Sequence, residues 1–144
     1  MGKAIYTAGA KVSGGRDEGQ AESSDGKLKL DLRIPEELGG PGDGTNPEQL
    51  FAIGYAACFS SALKTVGRRK KADSDDAEVT SSVSLVANDN RGFDIAATLD
   101  VVLPSLDDEA ALDLVEAAHK VCPYSNATRG NIDVKLTANG QPVG

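Results

Sequence analysis

The amino-acid sequence predicts a single α+β domain over residues 1–144, and three observations carry that prediction. Runs such as Leu28–Ile34 and Phe93–Leu103 alternate apolar and polar residues, as half-buried strands do. The run Leu50–Leu63 is apolar or small throughout, behind a strong helix-start signal. The patterns also follow one another as strands, helix, hairpin, helix, strand, which is segregated rather than alternating. At 144 residues with 40% hydrophobic side chains, the chain has ordinary one-domain length and enough apolar material for one core. It contains no internal repeat and no linker-like stretch.

Taken in order, Ala4–Val12 predicts a strand, and Ser13-Gly14-Gly15-Arg16-Asp17 a polar, flexible connection. Leu28, Leu30, Leu32 and Ile34 alternate with Lys and Asp, predicting a strand with one wet face. Asp25-Gly26 before it is a hairpin-turn signal, because both residues tolerate positive φ. Gly39–Gly44 reads as a spacer loop, since it lacks the Lys-Ser/Thr ending of a phosphate-binding loop.

Asn46 then predicts a helix N-cap, with Pro47 at the first helical position and Glu48 near the positive end of the dipole. The helix is expected to run to about Arg69. Its Leu50–Leu63 portion offers no polar face, which means burial on all sides. Gly54, Ala56, Ala57 and Ala62 allow close approach of another backbone, and so complete a covering that implies a partner chain. Arg68-Arg69-Lys70-Lys71 reads as a cationic helix end answered by Asp73, Asp75, Asp76 and Glu78.

Val79, Val83, Leu85 and Ala87 share one face. After a turn at Asn88–Gly92, so do Phe93, Ile95, Ala97, Leu99, Val101 and Leu103. That is a hairpin. Ser105 with Asp108 predicts a capping-box variant opening a second helix, whose apolar stripe reads Leu112, Val115, His119 and Cys122, with Ala111 and Ala118 beside it. Pro123 ends that helix, and Ile132, Val134 and Leu136 predict a last strand.

Charge excludes one class of partner. The 22 acidic against 15 basic residues give a net charge of −7, which repels polyanions, and six Phe and Tyr without Trp make no base-stacking platform. No nucleic-acid partner is expected. The opening MGKAIYTAGA lacks a signal-like apolar run, and Gln49–Leu63 is short for a bilayer and contains Ser60 and Ser61. The expected location is therefore cytoplasmic, with no membrane partner.

One His and two Cys cannot furnish the four protein ligands of a closed zinc site, and no G-x-S-x-G elbow is present. His119 and Cys122, three apart on one helix, allow a Cys–His pair, against the plainer reading of a helix-end histidine. The two thiols remain. Taken singly, Cys58 and Cys122 read as small core residues. Taken together, they face inward from helices that must pack on one sheet. A reactive Cys58 needs a cation from another segment, because the helix dipole fades after the first turn. Arg16, flanked by glycines at 14, 15 and 19, is the candidate, against the plainer reading of a solvated loop arginine.

Three stretches carry a resemblance. They are Gly14-Gly15-Arg16-Asp17; Thr45-Asn46-Pro47-Glu48-Gln49-Leu50-Phe51-Ala52 with Gly54-Tyr55-Ala56-Ala57-Cys58-Phe59; and Val121-Cys122-Pro123-Tyr124-Ser125-Asn126-Ala127-Thr128-Arg129-Gly130-Asn131. In order and interval they resemble the organic hydroperoxide resistance (Ohr) branch of the OsmC/Ohr family, nearly end to end. Ile53 and Glu18 depart from the usual pattern, and neither is at a position the resemblance makes catalytic.

The resemblance implies a fold of antiparallel sheets wrapped around a long buried central helix plus a second helix, as an intertwined homodimer. It also implies a thiol peroxidase acting on organic, including fatty-acid, hydroperoxides without a bound cofactor or metal. In that reading Cys58 attacks the peroxide and Cys122 resolves the sulfenic acid to a disulfide. Arg16 stabilises the thiolate, and Glu48 orients Arg16. A dihydrolipoyl group on a lipoylated partner protein is the external reductant. Glu48 and Cys58 lie ten residues apart, ~15 Å along an unbroken helix. Either the helix breaks near Gly54 or Glu48 serves the site of a second subunit, and the latter is the expectation. The alternatives are a redox sensor, or a small-molecule-binding module of the same fold, without turnover.

Overall fold

The computed structural model describes residues 2–144. It comprises two compact units, the first ending at Leu50 and the second running from Phe51 to Gly144.

The first unit is a three-stranded antiparallel sheet, β1 (Ala10–Ser13), β2 (Gly19–Ser23) and β3 (Lys29–Leu32), in that spatial order. Strand β1 is shorter than the expected Ala4–Val12, because only Ala10–Ser13 meets a partner, pairing with Gln20–Ser23. The Ser13–Asp17 stretch is not irregular throughout. It contains one helical turn, α1 (Gly15–Glu18), entered through Gly14 at φ 86° and Gly15 at φ 63°. A side chain on Gly14 would lie 2.5 Å from the Glu18 carbonyl oxygen, so the turn closes only around glycine.

The β2–β3 hairpin turns at Asp25-Gly26, but only Gly26 takes positive φ. The Asp25 carboxylate instead accepts hydrogen bonds from Ser23 Oγ and Lys27 N–H, which hold its pKa below the ordinary value. Beyond β3, Arg33 donates to the carbonyls of Gly19 and Leu32, tying the exit of α1 to the sheet.

Helix α2 (Pro47–Lys70) starts in the first unit and runs into the second without a break at Gly54. Asn46 is its cap, its Oδ1 accepting from Gln49 N–H at 2.9 Å, with Pro47 at the first position. The helix is long and apolar enough for a membrane span by composition, a test that Gln49–Leu63 alone fails. One face, Tyr55, Phe59, Leu63 and Val66, is committed to the protein core. The stripe at Ile53, Ala57 and Ser61 is open, with Ile53 67% exposed. Of the small residues read as close-approach points, only Ala57 lies on this open stripe; Ala62 is buried in the chain's own core and Gly54 faces Tyr124.

The second unit stacks that buried face and a second helix, α3 (Asp108–Val121), with a four-stranded sheet. Strands β4 (Glu78–Ala87) and β5 (Phe93–Val102) pair antiparallel over their full lengths, as the alternation predicts. Ala87 and its cross-strand partner Phe93 are the exceptions to the predicted buried face. Both sit at the hairpin end and are exposed, Phe93 by 67%.

Strand β6 (Val134–Ala138) lies parallel to β5, because the helical crossover between them returns the chain in the same direction. A seventh strand, β7 (Gln141–Val143), follows the two-residue turn Asn139-Gly140, whose φ values of 48° and 83° are those of a tight hairpin.

Two details of α3 differ from expectation. Its cap is Asp107, which accepts from Ala110 N–H at 2.9 Å, while Ser105 Oγ donates to Asp76. Its buried stripe is Ala111, Leu114, Val115, Ala118 and Cys122, so Leu112 and His119 fall on its margin. Pro123 ends α3 as predicted and also opens α4 (Pro123–Thr128), since a first helical position needs no N–H.

Candidate active site

In the first unit, the turn α1 presents Arg16 to Glu48 at the start of α2. The contact is a two-pronged ion pair, Nη1 to Oε2 at 3.3 Å and Nη2 to Oε1 at 3.1 Å. Fork-to-fork geometry of this kind fixes the guanidinium plane as well as its position. The glycines at 14 and 15 allow the turn, and Glu48 lies just inside the helix where Asn46 starts it. Glu48 thus has two roles in the sequence: a favourable charge in the first turn and a docking point for Arg16.

In the second unit, the structure brings Cys58 and Cys122 together, both as free thiols. Cys58 is half-buried on α2. Cys122 is fully buried at the corner between α3 and α4, with backbone φ −65° and ψ 123°. There its N–H still donates to Ala118 of α3, while its carbonyl accepts from Asn126 of α4. The proline that follows makes the corner, and the corner turns the second sulfur toward α2. Burial pushes the Cys58 thiol up from its ordinary pKa, and the adjacent Cys122 adds to that. The backbone N–H of Tyr124 acts in the opposite direction and lowers it.

An aromatic wall stands beside the thiols. Tyr124 packs edge-on against Phe51, with centroids 5.8 Å apart, and tilted against Tyr55 at 5.6 Å. The Tyr55 hydroxyl, fully buried, bonds to Ser125 Oγ at 2.8 Å and Thr128 Oγ1 at 3.3 Å. These bonds fasten α4 to α2. Apart from the resemblance, sequence reasoning assigned Phe51, Tyr55, Tyr124, Ser125 and Thr128 no part in the site. The available signal was the spacing 51, 55, 58, which places two rings and the thiol on one helical stripe.

His119 pairs with neither thiol. Its Nδ1 is buried without a partner, and Arg129 donates to its backbone carbonyl. Burial pushes the imidazole pKa down and the Arg129 charge adds to this, so the ring is neutral near pH 7. Among the described residues no group of three or more His, Cys, Asp or Glu is placed to hold a metal ion. What the paired thiols can do is two-electron chemistry, forming one S–S bond.

The profile of the OsmC-like protein family matches residues 40–137. The organic hydroperoxide resistance protein of Xanthomonas axonopodis pv. citri is 52% identical over 137 residues, covering 94% of this chain and 95% of that protein. A crystal structure of an organic hydroperoxide resistance protein from Legionella pneumophila superposes with a TM-score of 0.88 at 54% identity, covering 93% of this chain and 97% of that one. OhrB of Bacillus subtilis superposes at 0.84 with 48% identity, covering 92% and 98%. The chain belongs to the OsmC/Ohr family. Within it, these matches put the chain in the organic hydroperoxide resistance branch.

Proposed function

We propose that this protein is a thiol peroxidase that reduces organic hydroperoxides to alcohols, using no bound cofactor and drawing electrons from dihydrolipoyl groups. The observation that carries this reading is the pairing of two free thiols, one half-buried and one fully buried, beside an apolar wall. The names of the relatives, resistance to organic hydroperoxides, supply the substrate class.

The Cys58 thiolate attacks the terminal peroxide oxygen. The O–O bond breaks, the alkoxide leaves and takes up a proton as the alcohol, and the sulfur is oxidised to sulfenic acid. The Cys122 thiol then displaces water from that sulfenic acid and closes the disulfide before further oxidation can occur. A dihydrolipoyl dithiol on a lipoylated protein opens the disulfide by exchange and departs as its own cyclic disulfide. Arg16 stabilises the thiolate and the charge that develops on the oxygens, and Glu48 holds Arg16 in orientation.

Because α2 is continuous, Glu48 and Cys58 are separated by ten residues, ~15 Å of helix axis. The Arg16–Glu48 pair therefore serves the thiol of a second copy in a homodimer whose contact uses the open Ile53–Ala57 stripe. The expected location is the cytoplasm, where a reducing environment keeps both thiols available.

The test is a thiol count. Incubation with tert-butyl hydroperoxide should consume both thiols of each chain, and dihydrolipoamide should restore them over repeated cycles. Thiols that survive peroxide would leave only a binding role, and a single stoichiometric oxidation without recycling would mark a sensor. Arg16→Ala should slow the reaction and move its pH midpoint upward; an unmoved midpoint removes Arg16 from the mechanism.

A further inference from the structure

We propose that Asn139 is a site of spontaneous deamidation whose reaction the folded chain suppresses. The native structure holds its carboxamide in a clamp, and a chain that opens there converts the residue to an acid that cannot close the clamp again. The place is the corner between β5 and α3, and its chemistry owes nothing to the thiols.

Asn139-Gly140 is the one Asn-Gly pair in the sequence. Asparagine is a thermolabile side chain, and a following glycine leaves the attacking nitrogen unshielded, because it carries no Cβ. The Gly140 amide nitrogen attacks Asn139 Cγ, the C–N bond of the carboxamide breaks, and ammonia leaves behind a five-membered imide. Water then opens the imide at either carbonyl, giving aspartate or isoaspartate. No atom changes oxidation state.

The fold holds the reacting group by three bonds. Asn139 Oδ1 accepts from the Leu103 N–H at 2.7 Å. Its Nδ2 donates to the carbonyls of Leu103 at 3.2 Å and Leu106 at 3.3 Å. An N–H on one side and two carbonyls on the other leave the amide a single orientation. The Asn139 N–H also donates to the Val101 carbonyl at 2.9 Å, so backbone and side chain both hold the end of β5. Leu103 is fully buried, and its carbonyl also accepts from the Leu106 N–H, so the carboxamide braces the turn over residues 103–106 that leads into α3. Cyclisation must give up the side-chain bonds, since Cγ has to meet the Gly140 nitrogen and Nδ2 has to depart as ammonia.

The product has the wrong chemistry for the clamp. An ionised aspartate has no N–H for the two carbonyls and sets a charged oxygen against them. Isoaspartate adds a methylene to the main chain, within a two-residue turn whose φ values are 48° and 83°. Either acid leaves the entry of α3 without its brace.

The experiment keeps the full chain at one mildly alkaline pH, folded in buffer or unfolded in guanidinium chloride. Trypsin then releases residues 136–144 as one peptide, because Lys135 is the last basic residue, and Asn139 is the only asparagine in it. Fragment-ion mass spectrometry follows the conversion of Asn139 with time. The folded chain should react at least about tenfold more slowly, since the clamp must first open locally; a smaller ratio overturns the inference.

Asn139→Asp mimics one product. At a fixed urea concentration it should raise the unfolding constant about fivefold or more, as expected for orphaned hydrogen-bonding groups, and a smaller rise overturns the inference. Should Asn139→Asp fail to fold, the parent chain aged in guanidinium chloride and then diluted gives the second reading. Deamidated molecules should be depleted from the refolded fraction and enriched in the aggregate; an equal share in both overturns the inference.

Discussion

The bond between Tyr55 and Ser125 makes a demanding test of how the thiol corner is held. Both residues are fully buried, and the hydroxyl-to-hydroxyl distance is 2.8 Å. Tyr55→Phe keeps the ring and its packing on Phe51 and Tyr124 but removes the hydroxyl. Ser125 Oγ is then left without that partner inside the core, and Thr128 loses its 3.3 Å contact while still donating to the Ser125 carbonyl. Orphaning one buried hydroxyl costs ~1–3 kcal/mol, so Tyr55→Phe should lose about that much. For a chain of this size the shift in Tm is ~2–4 °C per kcal/mol.

Ser125→Ala should cost less, because the Tyr55 hydroxyl keeps Thr128. The double variant should cost much less than the sum, since removing both ends leaves little unpaired, and a coupling of about 1 kcal/mol is expected. Urea denaturation at one fixed protein concentration, with unchanged slope, is the appropriate assay. Additive losses, or a Tyr55→Phe protein as stable as its parent, would refute the claim that this hydroxyl fastens α4 to α2.

Three further expectations concern the thiols, the histidine and a helix cap. Cys58→Ser should abolish peroxide consumption, whereas Cys122→Ser should undergo one oxidation, stall, and proceed to sulfinic acid detectable by mass spectrometry; normal cycling of Cys122→Ser with dihydrolipoamide would disprove the resolving role. His119 has its folded pKa below the ordinary 6.5, so the unfolded chain binds the proton more readily. The stability associated with neutral His119 is full above about pH 6.5 and is lost as pH falls through the lower folded value. His119→Gln should flatten the decline in urea midpoint between about pH 6.5 and about pH 5, above the carboxylate range, and an unaltered slope would contradict this. Asp107→Ala should cost ~1 kcal/mol as loss of the α3 cap, and Ser105→Ala less; the reverse order would restore Ser105 as the cap.

Much of this architecture could be read along the chain. The start of α2 is written in Asn46 and Pro47, and the register of β4 with β5 in an alternation that never slips, because capping and pleating are local matters. The reading stopped at a last strand through Ile132, Val134 and Leu136 and missed β7, although Asn139-Gly140 is a two-residue hairpin signal. The stripe of α3 could be misplaced by one side because alanines at 111 and 118 carry little pattern, yet both are fully buried. The brief strand β1 shows the opposite limit: Ala4–Gly9 has strand-like residues, but pairing needs a neighbour.

Sequence alone determined the two long helices, the alternation of the β4–β5 hairpin, and that two cysteines lie on helices with apolar stripes, but not the short helices α1 and α4. The meeting of those cysteines 64 residues apart is a product of tertiary structure, as are the parallel entry of β6 and the clasp of Arg16 on Glu48 across 32 residues. Backbone periodicity is set within a few residues by sterics and hydrogen bonding. Which distant side chains touch is set by how whole layers close on one another, and a proline corner after Cys122 belongs to that closure.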